Sequence, residues 1–154
     1  MWKARKFYLF TGKAENASEP LLSFDASLFD AGVGSYNLVK VSSIRPPCFQ
    51  QSSDVTVPQG DTLFAAYTSN TKCAACIISS AVGVGIPADD NNIGVIMKYS
   101  CDNTKDIAEE KVREMVLAAM ALRGIQTKDV LVVSAEAVCS DDGFSTTLAG
   151  VALW

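Results

Sequence analysis

The sequence contains no histidine. This absence excludes Ser-His and Cys-His nucleophile pairs, an imidazole general base and every zinc site that includes histidine. Any catalysis must therefore use carboxylates, lysine, cysteine, hydroxyl groups, or a reactive group that the chain makes from its own residues.

Positive charge and long apolar runs are also scarce. The formal net charge is −4, and no long run of lysine and arginine occurs, which argues against a nucleic-acid or anionic-membrane surface. The apolar residues 7–10 behind the basic start are too few for a signal peptide. The weakly polar run 74–87 is too short to span a bilayer as a helix. We therefore expect a cytoplasmic protein with neither a nucleic-acid nor a membrane partner.

The five cysteines are an odd number and do not predict a disulfide framework. Cys73 and Cys76 have C-x-x-C spacing, but they lack a second nearby pair for zinc and a strand-to-helix setting that would lower a thiol pKa. The acidic turns at 89–92 and 141–143 lack the terminal glutamate of a calcium loop. We interpret Cys73 and Cys76 as two thiols at a hairpin and expect no metal site.

Hydrophobic patterning predicts a first helix in a sheet-rich domain that spans residues 1–154. Pro20 is well placed at the first position of this helix, and Gly32 is well placed to end it. Its predicted apolar face consists of Leu21, Leu22, Phe24, Leu28 and Phe29.

A second and stronger helical pattern covers residues 105–123. Asn103 or Thr104 can cap its start, Glu109 and Arg113 form an i,i+4 pair, and a glycine follows its end. With the strands, it predicts a mostly antiparallel α+β domain with two helices. The predicted strands are 6–12, 36–42, 62–69, 75–86, 93–100, 130–139 and 145–154.

The segment 25–47 carries the most informative pattern. In it, Ser42 and Ser43 end a strand and are followed by Ile44 and two prolines. Taken alone, such a pair is typical of an ordinary strand exit, because proline stops regular structure.

The wider pattern changes this interpretation, because the chain resembles the pyruvoyl-dependent arginine decarboxylases along nearly its whole length. The matching landmarks occur in the same order and at nearly the same spacing. They are Pro20-Leu21, Phe24-Asp25, Ala31-Gly32-x-Gly34, Asn37-Leu38, Ser42-Ser43-Ile44-x-Pro46-Pro47, Ile86-Pro87, Gly94-x-Ile96-Met97-x-Tyr99, Val112-Arg113-Glu114-Met115, Arg123-Gly124 and Ala152-Leu153-Trp154.

The resemblance implies a self-processing enzyme that converts arginine to agmatine and carbon dioxide. It implies cleavage between Ser42 and Ser43 into a β chain, 1–42, and an α chain, 43–154, with a pyruvoyl group derived from Ser43 as the cofactor in place of pyridoxal phosphate. In the family the pyruvoyl carbonyl forms a Schiff base with the substrate amine and acts as the electron sink. The resemblance further implies an αββα sandwich and a trimer with active sites between protomers.

Individual residues match family positions with known roles. Asn37 matches the residue that assists self-processing, and without the resemblance it is equally well interpreted as a satisfied strand-end amide. Asp25 matches the carboxylate that holds the substrate guanidinium, a role that suits bidentate pairing. Leu28 matches a residue of the pocket wall, and Ile44 follows the pyruvoyl residue.

The chain departs from the family at Lys98, where the family has a glutamate thought to be the proton donor. A desolvated lysine can donate a proton, particularly beside the new carboxylate of Ser42, but it also repels a cationic substrate. Two alternatives therefore stand beside arginine decarboxylation: a shifted substrate, for which the retained Asp25 disfavours an acidic side chain, and a catalytically silent paralogue that serves assembly or regulation.

Overall fold

The chain folds into four layers in the order helix, sheet, sheet, helix. The structure is a computed structural model and describes residues 3–154. Helix α1 spans Pro20–Asp30 and helix α2 spans Lys105–Leu122. The predicted α+β class and the αββα arrangement are confirmed. Within the described range the strands are β1 (Lys6–Ala17), β2 (Asn37–Lys40), β3 (Ile44–Arg45), β4 (Gln50–Gln51), β5 (Thr62–Lys72), β6 (Cys76–Pro87), β7 (Gly94–Cys101), β8 (Thr127–Cys139) and β9 (Phe144–Leu153).

A mixed sheet, A, and an antiparallel sheet, B, form the inner layers. Sheet A has the strand order β2-β5-β9-β1-β4, and sheet B has the order β3-β7-β6-β8. Most neighbouring strands are antiparallel, whereas β1 with β4 and β2 with β5 are parallel. Because β2 and β3 belong to different sheets, the chain crosses from sheet A to sheet B between Lys40 and Ile44.

The two sheets pack face to face over an apolar core that includes Phe7 from sheet A and Val82 and Ile96 from sheet B. Helix α1 covers the outer face of sheet A, and α2 covers the outer face of sheet B. A Cβ added at Gly83 would overlap the Val112 side chain of α2. The absence of a side chain at Gly83 therefore lets α2 pack closely on sheet B.

Helix α1 buries two serines against sheet A, together with only part of its predicted apolar face. Ser23 and Ser27 are fully buried. Of the predicted apolar face, Phe24 and Leu28 pack against the sheet. The prediction is wrong for the other three residues, which are exposed to solvent: Leu21 (74% exposed), Leu22 (55%) and Phe29 (77%).

The reason is the close approach of α1 to β1. A Cβ added at Gly12 would overlap the carbonyl oxygen of Ser27, so only small side chains fit between the helix and the sheet. The Ser23 hydroxyl shares a 2.7 Å hydrogen bond with Thr146, and the Ser27 hydroxyl donates one of 2.7 Å to the carbonyl of Phe24. These bonds satisfy polar groups whose burial would otherwise be costly.

The start of α2 is capped by a distant strand. Thr104 is the N-cap residue, as one of the two predicted candidates, but its hydroxyl makes no capping hydrogen bond. Instead the Lys105 amide donates a 2.7 Å hydrogen bond to the Glu136 carboxylate on β8. A carboxylate at this position also complements the positive end of the helix dipole.

The predicted pair between Glu109 and Arg113 is wrong. Both side chains bind β8 instead: Glu109 accepts a hydrogen bond from Ser134, and Arg113 donates one of 3.3 Å to the carbonyl of Val130. The partners on β8 are available because α2 lies across sheet B, and a local i,i+4 pattern does not contain that information.

The remaining elements agree with the predicted strands, although β1 continues to Ala17 and the two-residue strands β3 and β4 were not predicted. Cys73 lies in the connection between β5 and β6 and Cys76 begins β6, but these two strands belong to different sheets, so the prediction of a hairpin at this point is wrong. Neither helix within residues 3–154 has the length and apolar character needed to cross a membrane.

Candidate active site

The peptide bond between Ser42 and Ser43 lies where the chain crosses from one sheet to the other. On the side of sheet A, the Val41 amide donates a 3.0 Å hydrogen bond to the carbonyl of Ala65 on β5. On the side of sheet B, the Ser43 carbonyl accepts a 2.8 Å hydrogen bond from the Ile96 amide on β7. The bond is therefore fixed at both flanks, to two different sheets.

The chain contains three Ser-Ser pairs, and their settings differ. The pair 79–80 is fully buried within β6. The pair 52–53 lies in a polar loop after β4. The pair 42–43 alone forms the crossing between sheets, with the first serine exposed and the second half-buried. Its position distinguishes it, because the Val41 amide before it and the carbonyl of its second serine are hydrogen-bonded to different sheets.

Arg45 fixes the exit from this crossing, and the sequence analysis did not identify it. It is only 3% exposed, and its guanidinium donates hydrogen bonds of 3.2 and 3.1 Å to the carbonyls of Pro46 and Phe49. Burial lowers the pKa of Arg45, an effect that the nearby Asp90 opposes. The only feature of the sequence that pointed to a structural role for Arg45 was its position between an apolar residue and a proline pair.

Lys98 lies on β7, two residues beyond Ile96. Ile96 belongs to the core between the sheets, and strand alternation places Lys98 on the same face. Lys98 is half-buried, and the pKa of its ammonium is lowered by burial and, secondly, by the charge of Lys40. β3 pairs only with Gly94 and Val95 of this strand, so the edge of β7 beside Lys98 is open.

Lys40 is a second cation near the crossing that the sequence analysis did not single out. It ends β2, two residues before Ser42, and its ammonium lies 4.6 Å from the centre of the Tyr67 ring. The Tyr67 ring is in turn 6.3 Å from the ring of Phe24 on α1. Its place two residues before Ser42 was a weak signal, because its proximity to Lys98 depends on how the two sheets pack.

Asp25 and Leu28 lie on α1 at the outer face of sheet A. Asp25 is exposed and makes no ion pair within residues 3–154. Leu28 is half-buried and packs against the core beneath the helix. Ile44, at the start of β3, is 39% exposed.

Asn37 lies at the opposite end of β2 from Ser42. Its side-chain amide donates a 2.8 Å hydrogen bond to the carbonyl of Gly60. β2 is extended over Asn37–Lys40, which separates its ends by about 10 Å, and the chain continues beyond it to Ser42, so within one protomer this amide lies away from the Ser42–Ser43 bond. The fold thus gathers Ser42, Ser43, Ile44 and Lys98, and it leaves Asn37 at a distance.

Of the gathered residues, Ser42 and Ile44 are exposed, whereas Ser43 and Lys98 are half-buried. Three clefts in the described part of the chain, of about 370, 140 and 290 Å³, are lined by other residues than these. Within the same part of the chain, no three histidine, cysteine, aspartate or glutamate side chains are grouped so that they could hold a metal ion.

Comparison with known proteins gives a match over almost the entire chain. The sequence profile of the family described as pyruvoyl-dependent arginine decarboxylase matches residues 6–154. A protein of that name from Methanococcus aeolicus is 36% identical over 149 residues, which cover 95% of this chain and 87% of the relative.

Two further relatives carry the same name. The protein from Pyrococcus abyssi is 33% identical over 143 residues, covering 91% of this chain and 90% of its own length. The protein from Methanocaldococcus jannaschii is 33% identical over 147 residues, covering 95% and 87%.

Proposed function

Because this chain belongs to the pyruvoyl-dependent arginine decarboxylase family, we propose that it cleaves itself between Ser42 and Ser43 and decarboxylates arginine to agmatine. Its class is that of a carbon–carbon lyase. The observation that carries the proposal is the Ser42–Ser43 peptide bond itself, fixed to β5 through Val41 and to β7 through Ser43.

Cleavage requires only groups that the chain supplies and one water molecule. The Ser43 hydroxyl oxygen attacks the carbonyl carbon of Ser42, and the peptide C–N bond breaks to give an ester and a free amine. Elimination then breaks the bond between Cβ and the ester oxygen of residue 43, and Ser42 leaves as a carboxylate. Hydrolysis of the resulting dehydroalanine releases ammonia and leaves the pyruvoyl group at the start of the α chain.

The pyruvoyl carbonyl supplies the electron sink for loss of carbon dioxide. The surrounding residues fit this role, since Ser43 is half-buried beside β7 and its carbonyl is held by the Ile96 amide. The exposed carboxylate of Asp25 can accept both arms of a guanidinium. Lys98, whose pKa is lowered by burial and by Lys40, can hold the proton that replaces the carboxyl group.

We also propose that the site is completed by a neighbouring copy in a trimer of cleaved protomers. Two observations support this assembly. The first is the distance of Asn37 from Ser43 within one protomer. The second is the apolar surface of α1, where Leu21 and Phe29 are 74% and 77% exposed; large apolar side chains exposed together are typical of interaction surfaces.

A shifted substrate is the second candidate. It is favoured by the two cations near the crossing, Lys40 and Lys98, which together disfavour a cationic side chain. Asp25 opposes the shift, because its carboxylate would repel an acidic side chain and is best matched by a cation.

Intact-mass analysis of the purified full chain tests self-cleavage. We expect two fragments, residues 1–42 and residues 43–154, with a blocked start on the longer one. Ser43→Ala should give a single intact chain. The matched control is Ser53→Ala, which changes the second serine of another Ser-Ser pair and should leave cleavage unchanged. A wild-type chain that stays intact after prolonged incubation would contradict the proposal.

A further inference from the structure

Two lysine side chains lie beside the cleavage point without a partner anion. Lys40 precedes Ser42 by two residues, which is about 6–7 Å along an extended chain. Lys98 follows Ile96 by two residues on β7. Neither lysine forms an ion pair within residues 3–154, and the ammonium of Lys40 is held over the Tyr67 ring.

The strand register brings Ser42 toward Lys98. β3 pairs antiparallel with β7, with Ile44 opposite Val95, and the next hydrogen bond joins Ser43 to Ile96. One further step along this antiparallel register places Ser42 opposite Met97, the neighbour of Lys98. A lysine side chain is long enough to reach from there to the Ser42 carbonyl.

Within residues 3–154, the strands paired with β7 and β2 place no carboxylate opposite either lysine. Opposite Lys98 on β6 stands Val82, and the cation on β3, Arg45, is bound to the carbonyls of Pro46 and Phe49. On β5 the nearest titratable group to Lys40 is the Tyr67 ring. The lowered pKa of Lys98, caused by burial and then by Lys40, agrees with a site of unbalanced positive charge.

We propose that Lys98 and Lys40 together bind the carboxylate that self-cleavage generates on Ser42. This inference rests on the proposed cleavage, which converts the Ser42 carbonyl from a neutral amide into a carboxylate. The uncleaved chain then contains two neighbouring cations, and the mature chain contains an ion pair that links both sheets. Lys98 is in this sense a positioning residue, which holds the end of the β chain beside the start of the α chain.

A double-mutant cycle in the uncleaved Ser43→Ala chain tests carboxylate binding without cleavage. Ser42→Asp places a carboxylate on the same residue, and we expect it to raise Tm by roughly 2–4 °C, the shift expected for about 1 kcal/mol in a chain of this size. In the Lys98→Met background this rise should disappear. Lys128→Met, which removes an exposed lysine on β8 of the same sheet, is the control and should preserve it.

The second measurement compares mature and uncleaved protein. Lys98→Met and Lys40→Met should each lower the Tm of the cleaved wild-type background and should not lower that of the Ser43→Ala background. Intact mass confirms in each sample whether cleavage occurred. If a variant fails to cleave, the double-mutant cycle in the Ser43→Ala chain still tests carboxylate binding.

The outcomes separate the two proposals. If the wild-type chain cleaves but the effects of Ser42→Asp and Lys98→Met on Tm are additive, carboxylate binding is overturned and self-cleavage stands. A wild-type chain that never cleaves would overturn self-cleavage, and with it the origin of the carboxylate. Cleavage together with a rise in Tm that depends on Lys98 supports both.

Discussion

The Ile96 amide donates a 2.8 Å hydrogen bond to the Ser43 carbonyl. This bond ties the residue expected to become the pyruvoyl group to β7, the strand that also carries Lys98. A structural change that moves β3 away from β7 should therefore affect self-cleavage, even where it touches neither serine.

Gly94→Ala tests this dependence. An added Cβ would overlap the carbonyl oxygen of Gly85 on β6 and approach the Arg45 side chain of β3 to 2.8 Å, so β7 must shift against β6 and Arg45 must yield. We expect slower cleavage, followed by intact mass over time, and a loss of about 1–3 kcal/mol in the free energy of unfolding.

Gly12→Ala is the matched control for that variant. Its Cβ would overlap the Ser27 carbonyl between β1 and α1, away from the crossing. It should lower stability to a similar degree without slowing cleavage. Equal cleavage rates for Gly94→Ala and the wild-type chain would show that the placement of β7 against β6 and Arg45 does not control Ser43.

Asp25→Asn tests substrate recognition. Removing one charged half of a bidentate pair costs about 2–5 kcal/mol when the pair is desolvated, so KM for arginine should rise roughly 30-fold or more. Self-cleavage should be unaffected, because Asp25 lies on α1, outside the crossing. Asp106→Asn, an acid in the first turn of α2, is the control. Unchanged kinetics for Asp25→Asn would remove this carboxylate from the site.

The layers of the fold could be predicted from local patterns, whereas the buried face of α1 could not. Pro20 located the start of α1, and the helical spacing of apolar residues located both helices, because these signals depend on residues near in sequence. The burial of Ser23 and Ser27 depends on Gly12, which comes from another element. The capping of α2 by Glu136 is likewise a contact between distant residues.

The candidate site was also predicted only in part, because some of its contacts join residues that are distant in sequence. The resemblance identified Ser42, Ser43 and Lys98 as members of ordered motifs, and the fold brings them to one crossing. Lys40 was missed because its effect on Lys98 arises only when the edges of two sheets face each other. Arg45 was missed because its partners are backbone carbonyls, which leave no trace in the sequence pattern.

The lowered pKa of Lys98 predicts a pH dependence for the uncleaved Ser43→Ala chain. Burial and Lys40 disfavour the charged form in the fold, so the unfolded chain binds more protons between the lowered folded pKa and about 10.4. In that window the contribution of Lys98 to stability rises with pH. At pH values below the pKa of Lys98 in the folded chain, its charged form lowers the stability by the full amount.

Denaturant unfolding of the Ser43→Ala chain at several pH values between 7 and 10 measures this effect. Adding Lys98→Met should flatten the rise in stability over the upper part of that range, because Met cannot titrate. Adding Lys128→Met, which removes an exposed lysine, should leave the slope unchanged. An identical slope with and without Lys98 would contradict the assignment of the lowered pKa to this residue.

Lys98→Glu tests the point at which this chain departs from its family. If Lys98 weakens an arginine-specific site, the change removes a cation that repels the substrate and introduces the carboxylic acid that the family has at this position. Agmatine formation should then rise, by as much as the roughly 10²–10⁴-fold effect of a positioned acid or base. If Lys98 instead serves another substrate, the same change should abolish activity toward that substrate.

A substrate panel separates these outcomes. Carbon dioxide release from arginine, lysine, ornithine, aspartate and glutamate should be measured for the wild-type chain and for Lys98→Glu, after intact mass has confirmed cleavage in both. We expect weak arginine turnover in the wild-type chain and a gain in the variant, because the exposed Asp25 carboxylate still matches a long cationic side chain. Brisk arginine turnover that Lys98→Glu does not increase would contradict both explanations. It would mean that Lys98 is itself a competent acid, or that its ammonium faces away from the substrate.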